Sequence, residues 1–100
     1  MIKHIVLWRL KEFAVGRDQA ANAALIKEKL EQLNGRIPGM LRLEVGSDFS
    51  ASEESSHLAL YSEFETRAAL DAYLLHPEHK AVMPFIAEAR RERRVADYEV

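Results

Sequence analysis

Cysteine is absent from the 100 residues, which excludes a disulfide framework, a thiol nucleophile and a cysteine-based metal site. An excess of one charge is missing too. Fourteen Lys and Arg against 16 Asp and Glu leave a formal net charge of −2, which gives no electrostatic case for a nucleic-acid partner. No apolar run approaches the roughly 20 residues needed to cross a bilayer, so no membrane partner is expected. The chain has no glycine-rich phosphate cradle, no internal repeat and no low-complexity tract. Ser47, Ser50, Ser52, Ser55 and Ser56 cluster in a polar stretch that lacks the turn of a nucleophile elbow. The opening segment Ile2-Lys3-His4-Ile5-Val6-Leu7 is too short and too broken by charge for a signal peptide, which makes the cytoplasm the expected compartment.

What is present describes an ordinary globular chain, 48% hydrophobic and 30% charged, of a length that suits one domain over residues 1–100. Ile2 to Lys11 alternates with period two and carries apolar groups on both faces. Ile2, His4, Val6, Trp8 and Leu10 point one way, and Ile5 and Leu7 the other, as in a central strand. A loop over Phe13 to Arg17 leads to Asp18, a fair N-cap for a helix with the stripe Ala23, Ile26, Leu30 and Leu33 and a stop near Gly35. Ile37-Pro38-Gly39 turns the chain into a second strand over Met40 to Ser47, with Leu41, Leu43 and Val45 on one face. A third strand is predicted over His57 to Phe64. Thr66 caps a helix to Leu75, His76-Pro77 bends or breaks it, and a further helix runs to about Arg91. The basic run Arg90-Arg91-Glu92-Arg93-Arg94 reads as a solvated helix end and strand edge, with a last strand over Arg94 to Val100.

The order βαββαβ predicts an α+β, ferredoxin-like fold with a four-stranded antiparallel sheet. Right-handed crossovers put the helices on one face of that sheet. The other face carries Ile5 and Leu7 and needs a cover. A second copy is the simplest one, giving a homodimer whose sheets pack face to face as a dimeric α/β barrel.

Several segments occur in a set order: Met1-Ile2-Lys3-His4-Ile5-Val6-Leu7, Ile37-Pro38-Gly39, Leu43-Glu44-Val45-Gly46, Ala72-Tyr73-Leu74-Leu75-His76-Pro77-Glu78-His79 and Asp97-Tyr98. The series resembles the stress-responsive A/B barrel (Dabb) family of dimeric α+β barrels, over essentially the whole chain, and is similar to olivetolic acid cyclase-like proteins. That resemblance implies a cofactor-free aldol cyclisation of an oxo compound, a lyase or cyclase chemistry. Tyr73 and His79 resemble the cyclase's catalytic pair in the same Tyr-x-x-His-Pro-x-His frame, and His4 and His57 resemble its pocket histidines. Trp8 departs from the cyclase, standing where a smaller aliphatic group would line the pocket. Ile26 and Leu30 replace aromatic residues, which alters the expected substrate more than the proton chemistry.

Under this reading His79 is the general base and Tyr73 the oxyanion donor. A substrate-binding wall for a small apolar or oxo-compound ligand would comprise His4, Val6, Trp8, Ile26, Leu30, His57, Ala59 and His76. If His4 faces the helices, strand parity carries Val6, Trp8, Ala59 and His57 with it. No cofactor and no metal are expected, because His76 and His79 lack a clear third ligand and Pro77 disturbs their spacing. Plainer readings stand beside each assignment. Tyr73 could be a core aromatic, His76 a helix-junction residue, and the other histidines satisfied structural groups. A non-catalytic stress-response or ligand-binding dimer and a cofactor-independent monooxygenase are the alternative functions.

Overall fold

A computed structural model describes residues 1–100. Strand β1 (Ile2–Leu10) is followed by a small hairpin, β2 (Phe13–Ala14) and β3 (Arg17–Asp18), then helix α1 (Gln19–Glu31). Strands β4 (Met40–Ser47) and β5 (Leu58–Phe64), helices α2 (Arg67–Leu75) and α3 (Pro77–Ala89), and strand β6 (Arg90–Glu99) complete the chain. The main sheet has four strands in the order β4-β5-β1-β6, and every neighbouring pair is antiparallel. This is the ferredoxin-like arrangement that the element order predicts. No helix is long and apolar enough to cross a membrane.

β1 sits between β5 and β6, and its alternation sorts the two faces. Ile2, His4, Val6, Trp8 and Leu10 are buried beneath the helices. Leu58, Leu60, Ser62 and Phe64 of β5 and Leu43 and Val45 of β4 join them on that side. From the helices, Ile26, Leu30, Leu70, Tyr73, Ile86 and Ala89 close the core. Burial of this surface, at roughly 25 cal/mol per Å² of apolar area, is what holds the helices on one face.

Local signals set the helix ends. The Asp18 carboxylate accepts from the Ala21 N–H at 2.8 Å, and the Thr66 hydroxyl accepts from the Ala69 N–H at 3.1 Å. His76 serves two helices at once. Its N–H donates to the Tyr73 carbonyl to close α2, and its Nδ1 accepts from the Glu78 N–H at 3.1 Å to open α3. Its backbone is extended (φ −66°, ψ 135°), as a residue before proline prefers, and Pro77 begins α3.

Four local expectations are corrected. The stretch from Phe13 to Arg17 is a hairpin rather than a loop, turned by Val15 (φ 51°) and Gly16 (φ 72°), a pair of positive φ values that suits a two-residue β-turn. The third strand begins at Leu58, one residue after His57. The last strand begins at Arg90, which also caps the C-terminus of α3, so the basic run lies on the edge strand and the strand starts four residues before the expected Arg94. Leu41 does not share a face with Leu43 and Val45. The ladder shifts register between Met40 and Arg42, and Leu41 is left 50% exposed.

Gly39 holds φ +79°, and a Cβ built there would lie 2.6 Å from the Ala69 Cβ on α2. Gly39→Ala should therefore lower the unfolding free energy by about 2 kcal/mol, from overpacking and a left-handed backbone together. Urea denaturation followed by circular dichroism measures it, and an unchanged midpoint would contradict the close approach of α2 to this turn.

Candidate functional site

A cavity of about 230 Å³ opens between the sheet and the helices. β1 supplies His4, Val6 and Trp8 to its wall, α1 supplies Leu30, and β5 supplies Leu60. Tyr73 of α2 and His79 of α3 lie side by side in its wall, and Met83 and Ile86 continue the apolar wall along α3. Arg90 and Arg93 of β6 complete it.

The polar groups form a compact set. The Tyr73 and His79 rings lie 4.3 Å apart between centroids, and His4 stands edge-on to Tyr73 at 6.2 Å. Phe64 backs Tyr73 at 5.2 Å. The two helices meet at His76-Pro77, and that joint is what lets Tyr73 and His79 converge from separate elements. A single straight helix would only have stacked them along one side.

Each ring is oriented by a neighbour. His79 Nδ1 lies 3.3 Å from the Leu74 carbonyl oxygen, which can only accept, so the proton is assigned to Nδ1 and Nε2 presents its lone pair. Burial holds the His79 imidazole below the usual histidine range. The Leu74 carbonyl opposes this, and nearby His4, Arg93 and His76 add to it. Burial pushes the Tyr73 hydroxyl well above the usual tyrosine range, with Arg93 acting weakly in the other direction. At neutral pH the site thus holds a neutral imidazole beside a protonated phenol. His4 is fixed by Asp97, whose carboxylate Oδ1 lies 2.5 Å from His4 Nδ1, and its backbone carbonyl accepts from the Ser62 hydroxyl at 2.9 Å.

Of the residues singled out from the sequence, His4, Val6, Trp8, Leu30, Tyr73 and His79 come together at this cavity. The other four do not. Ala59 points to the opposite face, paired with Leu7, because burying Leu58, Leu60 and Phe64 outweighs any gain from burying alternate positions. His57 precedes β5, and its Nδ1 accepts from the Leu10 N–H at 2.8 Å, beside a separate cleft against α1. His76 is occupied with capping α3. Ile26, one helical turn before Leu30, is wholly buried in the core and does not reach the wall. No three His, Asp or Glu side chains are grouped as a metal site.

In the sequence Asp97 falls in a family-like segment and Arg90 and Arg93 in a basic run, and neither pattern places them at the site. Their signal lies in the β1–β6 register, which sets His4 opposite Asp97 and Trp8 opposite Arg93. Alternation along the last strand names the residues that share a face, but only the pairing says which residues of β1 they meet.

Comparison with known proteins agrees with this architecture. The family model described as Stress Responsive A/B Barrel Domain matches residues 2–100. An uncharacterised protein of Streptomyces coelicolor is 32% identical over 99 residues, covering 99% of each chain. A crystal structure from Bacteroides fragilis, described as a dimeric protein of unknown function with a ferredoxin-like fold, is 33% identical. It superposes with a TM-score of 0.86 over 99% of this chain and 95% of its own. A structure described as an antibiotic biosynthesis monooxygenase has a TM-score of 0.70 at 18% identity, covering 100% of this chain and 98% of its own, and shares the fold alone.

The lowered His79 value sets the sign of a pH effect. The unfolded imidazole takes a proton as pH falls through about 6.5, while the buried one resists it, so stability is full above that value and lost below it. The urea midpoint should therefore fall from about pH 7.5 to about pH 5.5, and His79→Gln should flatten that slope. An identical slope in the variant would show that His79 is not held neutral by the fold.

Proposed function

The chain belongs to the stress responsive A/B barrel domain family, and we propose that it is a homodimer whose cavity carries out cofactor-free proton transfer on a small oxo compound. The observation that carries this reading is the buried pairing of a neutral His79 with a protonated Tyr73, rings 4.3 Å apart, on one cavity wall. His79 Nε2 takes the acidic proton from a carbon flanked by carbonyls. The electron pair moves onto the carbonyl oxygen, and the Tyr73 hydroxyl donates a hydrogen bond to the enolate. In an intramolecular aldol step the enolate carbon forms its bond to a second carbonyl carbon. The new alkoxide then takes its proton from the His79 imidazolium, which restores the base. His4, held by Asp97, forms the polar wall opposite. Cofactor-independent oxygenation would begin with the same loss of a carbon-bound proton, and retention of an apolar ligand would use the same wall without chemistry.

The dimer reading rests on the bare face of the sheet. Ile5, Leu7, Ala59 and Ala96 form its apolar centre, with Leu7 37% exposed. Lys3, Tyr61 and Glu63 form a hydrogen-bonded cluster at one end, where Lys3 Nζ lies 2.6 Å from Glu63. Phe49, 97% exposed, stands beside a groove that Leu7 and Ala59 also line. A contiguous apolar patch with a polar rim suits a second copy of the same sheet, and the dimeric Bacteroides fragilis relative supports this.

Two outcomes are expected. Leu7→Asp should convert the dimer to monomer in sedimentation velocity, since it buries an unpaired charge against the partner, and an unaltered profile would place the interface elsewhere. In deuterium oxide, the protein should speed exchange at the central carbon of ethyl 3-oxobutanoate, read by proton NMR. His79→Ala and Tyr73→Phe should each slow the catalysed rate by about a hundredfold. Equal exchange by both variants and the parent would refute the catalytic assignment.

A further inference from the structure

The wall of the cavity carries two guanidinium groups, Arg90 and Arg93, and no carboxylate. The ion pairs within the chain use other arginines, namely Arg36, Arg42, Arg67 and Arg94. The nearest acids along the strand are also engaged, Asp97 by His4 and Glu92 by Arg94. Arg93 stands directly opposite Trp8 in the β1–β6 ladder, and both residues line the cavity.

Trp8 supplies an independent observation. It is only 3% exposed, and its indole Nε1–H is buried without a hydrogen-bond partner. A buried donor with no acceptor is costly, and Trp8, the residue that carries it, also lines the cavity. The remaining wall is apolar, through Leu60, Met83 and Ile86. About 230 Å³ limits an occupant to one ring or a short chain.

We propose that the Trp8–Arg93 corner is an anion subsite and that the ligand is a small monocarboxylate with an apolar body. One carboxylate oxygen accepts from the Trp8 indole N–H and the other from the Arg93 guanidinium, and Arg90 adds positive charge at the same end. The body lies along Leu60, Met83 and Ile86 and reaches Tyr73 and His79. This names the substrate class for the cavity and rests on its reading as the ligand site.

Trp8 is the only tryptophan, so its indole N–H gives a single cross-peak in a proton–nitrogen correlation spectrum. The probes are 3-phenylpropanoate and its neutral isostere 3-phenylpropanamide. The acid is expected to move the indole resonance downfield and to bind about tenfold tighter than the amide, as a charge-assisted contact should. Arg93→Gln should remove that preference while leaving the amide's affinity within about twofold. Two results would overturn the inference: equal affinity for acid and amide, or a preference that survives in Arg93→Gln. If both probes bind equally and shift the His79 and Met83 resonances, the anion subsite fails and the cavity stands as a ligand site. If neither shifts any wall resonance, the ligand-site reading fails and the subsite with it.

Discussion

The two-residue alternation of β1 is the constraint on which the rest depends. The strand lies between β5 and β6, so both of its faces are decided at once. One set of side chains, from Ile2 to Leu10, goes beneath the helices, and it includes a histidine and a tryptophan among the aliphatics. The other set, with Ile5 and Leu7 at its centre, faces outward and carries the apolar surface suited to a second copy. A slip of one residue would exchange the two, exposing His4, Val6 and Trp8 and burying Lys3 and Arg9. The fold, the cavity and the outward apolar face therefore share one register.

The helix joint supplies what the sheet cannot. Tyr73 lies in the last turn of α2 and His79 in the first turn of α3, and the extended backbone at His76 turns one helix into the next. This placement buries both groups. The same burial acts in opposite directions on the two protonation equilibria, lowering the imidazole and raising the phenol. A base and a hydrogen-bond donor thus coexist at neutral pH without a charged partner touching either ring. The His4–Asp97 contact ties the far wall to the edge strand, so the site draws on β1, β6 and both halves of the helical layer.

Much of this was legible from the chain alone, and what was legible was local. Asp18 and Thr66 mark helix starts by the hydrogen bonds that their side chains make within a few residues. His76-Pro77 marks a joint because proline restricts its predecessor. The alternation of Ile2 to Leu10 gave the correct set of inward residues. What failed was long-range. Ala59 and His57 were grouped with His4 by a presumed common face, whereas the pairing of Leu60 with Val6 puts the leucines there. Leu41 was misplaced because a register shift in the β4–β5 ladder leaves no mark in the hydrophobic pattern. Asp97 and Arg93 acquire their meaning only from the residues opposite them.

The central claim is that the fold holds His79 as a neutral base, with its proton on Nδ1 and its lone pair on Nε2 beside Tyr73. Nitrogen-15 NMR of the imidazole rings at neutral pH reads this state directly. A protonated Nδ1 and a bare Nε2 at His79 are the expected result. An imidazolium, or a proton on Nε2, would contradict it.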